Sequence, residues 1–381
     1  MTDVSIVSCK SYDAAEVRGA LEKALAPFGG LDWVKPGMKI AVKANLVGPL
    51  KPAAAATTHP AVLKTLCDAL SARGAQVVVG DSPGGLFTAG FLAGIYKATG
   101  MHAIEGENVK LNDCFEEQEV AFPEGAAAKT IRFTKYILDA DAVIDCCKPK
   151  THGMMAYTGA CKNFFGTIPG LMKGEYHYRY ADYTAFANML VDLAECIKPR
   201  LCIADFVWSM EGNGPTMGSP RFVGALMASE NAHKMDILGA HIMHIPFENV
   251  PTLVEAHKRG LIPESVAEIT IEGDYEGFVV PDFKQANKRP ISSWSGGNPV
   301  INRLATALLA SKPMPDKAAC VGCGKCAEIC PAKAIEMTDG KSGRLPKIDR
   351  KKCIRCFCCQ EFCPKGAMRV HRPWAAKIIN K

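Results

Sequence analysis

Two cysteine motifs close to the carboxyl terminus constrain the fold of this chain more than any other feature. The segment "CVGCGKCAEICP" starts at Cys320 and follows the spacing C-x2-C-x2-C-x3-C-P, and "CIRCFCCQEFCP" repeats that spacing from Cys353. This spacing is typical of segments that bind two iron–sulfur cubanes, in which three closely spaced thiolates bind one cluster and the fourth cysteine binds the other. Metal ligation then supplies the folding free energy that so short a segment lacks.

The crossed pattern divides the repeated cysteines between two 4Fe–4S clusters. The predicted ligands are Cys320, Cys323, Cys326 and Cys363 for the first cluster, and Cys330, Cys353, Cys356 and Cys359 for the second. Structural zinc also uses C-x2-C pairs, but it does not require a third cysteine and a following Cys-Pro in both copies. Cys358 falls outside the repeat, so it is either a buried free thiol or a hydrogen-bonding neighbour that tunes the second cluster.

The length and composition are those of an ordinary globular protein with two or three domains. The chain has 381 residues, of which 48% are hydrophobic and 22% charged. Its first residues lack the basic and apolar pattern of a secretion signal, and no apolar run approaches the about 20 residues that a membrane-spanning helix needs. Without a secretion signal, the 17 cysteines do not indicate a disulfide scaffold. We therefore expect a cytoplasmic protein without a membrane span.

Positive charge is concentrated in the cysteine-rich end. Residues 320–381 contain 14 Lys and Arg against 5 Asp and Glu, whereas the rest of the chain contains 31 against 34. Part of this excess offsets the negative charge that thiolate-ligated clusters carry. The terminal segment "RVHRPWAAKIINK" is a solvated tail, which we favour, or a docking surface for an acidic partner or a membrane. No recognition motif for nucleic acid is present, so nucleic acid is not an expected partner.

The long region before the cysteine motifs alternates between strand-like and helix-like patterns. Apolar runs such as "KIAVKANL", "QVVVGD", "KTIRF", "DAVIDC", "RLCIADF" and "GALMAS" predict strands, and amphipathic patterns predict helices at "AAEVRGALEKAL", "AVLKTLCDALSARG", 183–197 and 232–243. This alternation predicts an α/β fold with a parallel or mixed sheet flanked by helices. We place the α/β domain at 1–285, a linker at 286–316, a ferredoxin-like α+β cluster domain at 317–367 and a basic tail at 368–381.

Four of the predicted strands carry polar groups at or near their carboxyl ends. These are Lys43 and Asn45 after one strand, Asp81 and Ser82 after the next, Lys148, Lys150 and His152 after a third, and Asp205 in a fourth. The carboxyl ends of neighbouring parallel strands meet at one edge of a sheet, where ligands bind. The pattern therefore predicts a binding cleft at this edge rather than a set of separate solvated turns.

The ligand expected in this cleft is a small anion, such as a carboxylate or a phosphate. Several lysines so close together repel one another unless a negative charge lies between them. The expected substrate-binding residues are Lys43, Asn45, Asp81, Ser82, Lys148, Lys162 and Asn163. The candidate catalytic residues are Lys150 and two histidines, His152 and His59, whose side chains titrate near neutral pH.

Two further motifs of this region leave alternatives open. The stretch "GDSPGG" is either a tight turn or, if a helix begins at Leu86, a cradle whose backbone N–H groups bind an oxyanion. It is neither a dinucleotide-binding motif nor a P-loop, so nicotinamide cofactors and ATP are disfavoured. Cys146, Cys147 and Cys161 are either small buried residues, which we favour, or thiols made reactive by nearby lysines.

Together these motifs resemble the DUF362 family of iron–sulfur proteins, whose name records an unknown function. The resemblance rests on "KPKTH", "YTGACKNFFG", "MEGNGP", "GDSPGG" and the second cysteine motif, and it extends over essentially the whole chain. It implies that the family signature includes Lys43, Asn45, His59, Pro60, Lys148, Lys150, His152, Gly159, Lys162, Asn163 and Gly166. Cys358 also looks typical of the family. The chain departs from the family within "ASENAHKMD", where Glu230 or Asn231 stands in place of a frequent aspartate.

The function that these observations favour is an anaerobic-type oxidoreductase. Two 4Fe–4S clusters would relay electrons between a redox protein partner and a small anionic substrate in the cleft. One alternative is an electron carrier or complex subunit without a substrate of its own. Another is a maturation protein that delivers a metal, a cluster or sulfur through Cys146, Cys147 and Cys161. Each hypothesis is compatible with a homo-oligomer.

Overall fold

A helix-flanked sheet is followed by a small cysteine-rich domain in the computed structural model, which describes residues 2–286, 312–340 and 343–371. The main sheet is mixed and has helices on both faces, which confirms the predicted α/β fold class. The linker motif "KRPISSWSGGNP" and most of the predicted basic tail lie outside the described residues. Within those ranges, none of the helices is both long enough and apolar enough to span a bilayer.

Most of the predicted strands and helices are present. The strands of the described residues are β1 (Val4–Ser8), β2 (Lys39–Ala44), β3 (Gln76–Gly80), β4 (Val109–Leu111), β5 (Glu117–Ala121), β6 (Thr130–Thr134), β7 (Ala142–Cys147), β8 (Lys150–His152), β9 (Ala156–Thr158), β10 (Leu201–Glu211), β11 (Ser219–Ser229), β12 (Ile271–Glu272), β13 (Lys312–Pro315), β14 (Ile335–Gly340), β15 (Gly343–Ile348) and β16 (Met368–His371). The α-helices are α1 (Ala14–Leu25), α2 (Pro60–Ser71), α3 (Ala89–Thr99), α4 (Lys135–Leu138), α5 (Ala160–Asn163), α6 (Met172–Arg179), α7 (Tyr183–Ile197), α8 (Ala232–Ile242), α9 (Pro251–Lys258), α10 (Lys325–Glu328) and α11 (Cys358–Glu361).

The topology of the main sheet brings the polar strand ends to one edge. The strand order is β12-β1-β11-β10-β7-β2-β3-β4, and the β8–β9 hairpin is attached to β10. β10, β7, β2, β3 and β4 run parallel to one another, whereas β11 is antiparallel to both β10 and β1. The four strands that the sequence predicts to converge are therefore adjacent and parallel, and their carboxyl ends lie side by side.

Helices cover both faces of this sheet, so its central strands are buried on both sides. β7 is buried from Val143 to Cys147, as expected for a parallel strand between two helical layers. Apolar residues of α1, α2 and α3 form the core on one face. Residues of α7, α8 and α9, with those of the β5–β6 hairpin, form the core on the other face.

Local sequence signals explain where several helices begin. Asp13 caps α1, and its carboxylate accepts hydrogen bonds from backbone N–H groups of the first turn. Pro60 is the first residue of α2, where its missing N–H costs nothing, and His59 is the cap.

The "GDSPGG" turn differs from the helix that its sequence suggests. The helix expected at Leu86 begins at Ala89 instead. Gly85 has a φ of 128°, a conformation incompatible with a right-handed helix at that point. This stretch is therefore a turn, and the helix N-terminus expected to cradle an oxyanion is not formed by it.

Two other strand pairings could not be predicted from the local sequence. The predicted strand "KTIRF" becomes β6, but it pairs with β5 in a separate hairpin outside the main sheet. In the cysteine-rich domain, β13 pairs antiparallel with β16, so that Lys312 lies opposite His371. Both strands lie outside the predicted domain limits of 317 and 367, because they join the two ends of that domain.

Asp236 on α8 holds the short helix α5, which carries two of the predicted site residues. Its buried carboxylate accepts hydrogen bonds from the backbone N–H groups of Ala160 and Cys161, at 2.7 and 3.0 Å. Asn231 is the cap of α8, and Glu230 pairs with Arg200 at the surface. Of the acidic groups in "ASENAHKMD", Asp236 is thus the one that supports α5.

Replacing Asp236 by alanine should destabilise the protein more than removing the cap of the same helix. The Asp236→Ala variant leaves two buried N–H groups of α5 without an acceptor, at a cost of roughly 2–4 kcal/mol in the free energy of unfolding. The control variant Asn231→Ala should lose about 1 kcal/mol. Chemical unfolding of both variants measures the difference, and equal losses would show that α5 does not depend on Asp236.

Candidate functional site

The cysteines of the two motifs line two separate cavities. One is lined by Cys320, Cys323, Cys326 and Cys363, and the other by Cys330, Cys353, Cys356 and Cys359. Each cavity therefore contains the four cysteines that the crossed spacing predicts for one cluster.

The backbone around these cysteines fits a sulfur-ligated cluster. The N–H of Ala334 donates to Sγ of Cys330, and the N–H of Ala367 donates to Sγ of Cys363, both at 3.2 Å. Such donors stabilise the negative charge of cluster-ligating thiolates. Each cavity is lined by four thiols, and one of them, Cys363 in the first cavity and Cys330 in the second, accepts a backbone hydrogen bond. This donor set suits one 4Fe–4S cluster per cavity.

A third cavity, of about 80 Å³, lies between the carboxyl edge of the sheet and the cluster domain. The predicted site residues that line it are Asn45, Asp81, Ser82, Lys150, Lys162 and Asn163. Further side chains that line it are Thr158, Lys173 and His177 from the α/β domain, and Ile329, Cys358, Glu361 and Phe362 from the cluster domain. We call this space the basic cavity.

A larger concavity, of about 540 Å³, lies at the opposite edge of the sheet. It is lined by the start of β7, the end of α7 and the Arg200–Glu230 pair. None of the predicted site residues lines it. The chemistry-bearing side chains are therefore gathered at the carboxyl edge, as the parallel topology requires.

Lys43 lies beneath the basic cavity and does not line it. Its ammonium group is fully buried and contacts Oδ1 of Asp81 at 2.9 Å and Oδ1 of Asn163 at 3.2 Å. Nδ2 of Asn45 also donates to Oδ1 of Asn163, at 3.0 Å. These contacts connect the ends of β2 and β3 to α5 and form the floor of the cavity.

Gly166 is the residue that lets this floor close. A Cβ atom at Gly166 would collide with Oδ1 of Asp81 and would lie 2.6 Å from Nζ of Lys43. Only a residue without a side chain allows the backbone to approach the buried Lys43–Asp81 pair this closely. This explains why Gly166 belongs with the site residues although it has no side-chain chemistry.

Three lysines give the basic cavity its charge. Lys150 donates to Oδ1 of Asn45 at 2.8 Å and to the carbonyl of Ala56, and Lys173 donates to Oγ of Ser82 at 3.4 Å. Burial lowers the pKa of Lys150 to about 7, with a smaller contribution from Lys162, and burial also lowers the pKa of Lys173 to about 7. Burial lowers the pKa of Lys162 as well, and within the described ranges no carboxylate lies within ion-pair distance of it.

His152 of β8 faces the cluster domain. Its Nδ1 accepts hydrogen bonds from the N–H groups of Met154 and Met155, at 3.0 and 3.1 Å, so a neutral ring carries its proton on Nε2. Nε2 lies 3.1 Å from Oε1 of Glu361, at an angle outside hydrogen-bond geometry. Burial lowers the pKa of His152 to about 4, which keeps the imidazole neutral at pH 7.

Glu361, which no sequence pattern marked, and His177, a weaker candidate within "KGEYHYRY", also line the cavity. Burial opposes ionisation of Glu361, but His152 and Lys162 offset it and hold its pKa below the ordinary range. His177 is buried against Phe186, with ring centroids 4.4 Å apart, and its Nδ1 has no hydrogen-bond partner in the described part of the chain. Glu361 lies inside a cysteine motif, and its position in the cavity, next to His152, is seen only in the folded structure.

The cluster domain closes the cavity through Phe362. A Cβ atom at Gly84 would overlap the ring of Phe362, so the "GDSPGG" turn needs glycine there to accept it. Oγ1 of Thr216 donates to the carbonyl of Glu361 at 3.2 Å. The "GDSPGG" turn therefore packs against the cluster domain and does not form an oxyanion cradle.

Lys148 and His59 belong to a second group, in which Lys148 is buried and His59 is half-buried, and neither lines the basic cavity. Nζ of Lys148 donates to Oδ2 of Asp205 and to the hydroxyl of Tyr12, both at 2.9 Å. The ring of His59 stacks on Tyr12 at 3.5 Å, and its Nδ1 accepts from the N–H of Ala61. Tyr12 follows β1, which is parallel to β10, so it reaches the same edge without any polar motif to mark it.

The three thiols near the site are enclosed. Cys146, Cys147 and Cys161 are fully buried, and burial raises the pKa of each thiol well above its ordinary value. Neutral, inaccessible thiols are poor nucleophiles and poor metal ligands. Their placement agrees with the interpretation of all three as core residues.

Binding of an anion in the basic cavity should take up protons. The low pKa values of Lys150 and Lys173 arise from burial, and a neighbouring negative charge raises them. The affinity for sulfate should therefore decrease above pH 7, by up to about tenfold per pH unit for each lysine that loses its proton.

Calorimetry of sulfate binding in buffers with different ionisation enthalpies measures this proton uptake directly. The Lys150→Met/Lys173→Met variant should lose the pH dependence together with most of the affinity. A sulfate affinity that stays constant between about pH 6 and about pH 9 would contradict the assignment of these lysines to the anion site.

Two family profiles match separate parts of this chain. The profile described as "Domain of unknown function (DUF362)" matches residues 40–241, and the profile described as "4Fe-4S dicluster domain" matches residues 319–367. The second match confirms that the carboxyl-terminal domain is of the ferredoxin type that holds 4Fe–4S clusters.

One curated relative is the thylakoid-associated protein sll1697 of Synechocystis sp. The two chains are 32% identical over 287 residues, which cover 73% of this chain and 86% of the relative. A solved structure, the lactate racemase apoprotein from Thermoanaerobacterium thermosaccharolyticum, has a TM-score of 0.39 at 12% identity and covers 64% of this chain and 57% of that one. That likeness is too low to carry an argument. The family profile and the relative together establish that this chain belongs to the DUF362 family.

Proposed function

We propose that this chain is an iron–sulfur oxidoreductase that binds a small anion in the basic cavity and exchanges electrons with it across the cluster domain. One observation carries the proposal. The basic cavity is lined on one side by Lys150 and Lys162, and on the other by Cys358 and Glu361 of the second cysteine motif. An anion bound there lies next to the segment that holds a cluster.

The cluster domain contributes the redox capacity in this proposal. We assign the first cluster to Cys320, Cys323, Cys326 and Cys363, and the second to Cys330, Cys353, Cys356 and Cys359, because each set lines one cavity. A bound 4Fe–4S cluster supplies one electron at a time at low potential.

The lysines of the α/β domain bind and orient the substrate. Lys150, Lys162 and Lys173 provide more positive charge than Glu361 balances, so an anion relieves their mutual repulsion. The hydroxyl of Ser82 adds a polar contact on the wall of the cavity. The volume of about 80 Å³ limits the bound part of the substrate to a few heavy atoms.

Protons for the reaction have a source within the same cavity. Lys150 has a pKa of about 7 and lines the cavity, so it is able to hold or release a proton near neutral pH. Phe165 and Phe362 line the walls and exclude water from the ligand. His152 carries its proton on Nε2, which lies 3.1 Å from Oε1 of Glu361 beside the cavity.

The alternatives have less support. Delivery of sulfur or a metal through Cys146, Cys147 and Cys161 requires reachable thiols, and all three are buried. A pure electron carrier does not need buried lysines without carboxylate partners beside its cluster domain. The cytoplasmic location and anaerobic setting stay predictions, and the relative's name places that protein at the thylakoid.

Replacing two cavity lysines should separate anion binding from cluster content. The Lys150→Met/Lys162→Met variant should lose at least about 3 kcal/mol of sulfate binding energy, because two charge-assisted contacts are removed. Anaerobically purified variant and native chains should both contain about eight iron and about eight sulfide. Exposed lysines provide the matched control, Lys35→Met/Lys97→Met, which should bind sulfate as the native chain does.

Turnover is tested with the dithionite-reduced native chain and a set of small carboxylates and oxyanions. An anion that reoxidises the native clusters should fail to do so in the Lys150→Met/Lys162→Met variant, while reduction by dithionite is unchanged. Reoxidation of that variant at the native rate would exclude the basic cavity as the substrate site. If no anion reoxidises the native chain, the result favours the alternative of an electron carrier without a substrate of its own.

A further inference from the structure

The two cysteine cavities have different surroundings. In the second cavity, Cys330 and Cys359 are buried and Cys353 and Cys356 are half-buried, and Cys358, next to Cys359 in sequence, lines the basic cavity. In the first cavity, Cys323 is exposed, the one exposed residue among the ligand cysteines, all of which the structure describes. Its neighbour Val321 is 63% exposed, although it is apolar. The first cavity is therefore the one with a ligand cysteine exposed to solvent.

The solvent-facing side of the first cavity is positively charged. Lys325 and Lys365 line this cavity and are exposed, and Lys317 lies exposed just before Cys320. The nearby carboxylates are Glu328, which pairs with Lys325 at 2.8 Å, and Asp316, which pairs with Arg369 at 3.0 Å. Lys325 and Arg369 are thus each paired with one of these carboxylates, whereas Lys317 and Lys365 add positive charge that neither carboxylate balances.

An exposed apolar side chain surrounded by lysines is typical of a transient protein interface. Apolar contact at the centre contributes affinity, and charges around it steer the encounter and select the partner. Electron-transfer complexes are at the small end of interface sizes, so a patch of a few residues is sufficient. The positive sign selects a partner with a negative surface.

We propose that Lys317, Val321, Cys323, Lys325 and Lys365 form a docking surface for an acidic one-electron carrier protein. Each encounter transfers one electron: the carrier is oxidised by one electron, this chain is reduced by one, and no proton or covalent bond changes. The proposal rests on the cluster assignment made under the proposed function but does not depend on anion binding.

Stopped-flow reduction of the full chain by a reduced plant-type 2Fe–2S ferredoxin, an acidic carrier, tests the surface. The variant Lys317→Glu/Lys325→Glu/Lys365→Glu should be reduced at least about tenfold more slowly at low ionic strength. The control Lys23→Glu/Lys35→Glu/Lys97→Glu changes the net charge equally on exposed lysines of the α/β domain. It should be reduced at nearly the native rate. Dithionite should reduce all three chains equally, which shows that the clusters are intact.

Two further measurements distinguish a specific surface from a general charge effect. Cytochrome c, a basic one-electron acceptor, should oxidise the reduced docking-surface variant faster than the native chain. A second variant, Val321→Glu, should weaken the ferredoxin complex measured by calorimetry and leave the iron content unchanged. Equal slowing of the docking-surface variant and its control, or native rates in both, would overturn the proposal. Because iron content and sulfate binding are measured separately, failure here is distinguishable from failure of the proposed function.

Discussion

The buried ammonium of Lys43 is the constraint on which the rest of the site depends. A fully buried charge is tolerated only when a counter-charge and hydrogen-bond acceptors lie within reach. Asp81 and Asn163 meet this requirement, and in doing so they attach the ends of β2 and β3 to α5. Gly166 must then be glycine, because the backbone passes directly against the pair. The predicted substrate ligand Lys43 is therefore a structural cation, and its pairing leaves the lysines above it to attract an anion.

The cavity above Lys43 is a joint product of two domains. The α/β domain alone would present Lys150, Lys162 and Lys173 in an open cleft, where water would screen their charges. The cluster domain covers that cleft with Phe362, which fits against the turn only because Gly84 has no side chain. Closure strengthens the attraction between the lysines and a bound anion, because it removes water from around them. It also places the basic cavity beside the second cysteine motif, whose Cys358, Glu361 and Phe362 line it.

Sequence patterns were most informative where spacing alone determines chemistry. The C-x2-C-x2-C-x3-C-P repeat divided eight cysteines into two groups of four, and the fold gathers the same groups. Strand-helix alternation predicted the parallel strands and the edge where their polar ends meet. The patterns did not predict in which direction each side chain points at that edge. Lys148 and His59 reach the same edge as Lys150, yet they turn toward Asp205 and Tyr12, because a buried lysine pairs with the nearest carboxylate.

The sequence by itself determined the metal chemistry and the architecture, since both follow from local periodicities: the spacing of thiols, and the alternation of apolar runs with amphipathic helices. Only the tertiary structure decided which charged side chains share a cavity. Glu361, which lies within a cysteine motif, and Lys173, which lies in no motif, both line the basic cavity. The predicted ligand Lys148 instead pairs with Asp205 and does not line it. The physical reason is that electrostatic partners are determined by proximity in three dimensions, between residues that are far apart in sequence, such as Lys148 and Asp205 or His152 and Glu361. No local pattern of residues encodes such a pairing.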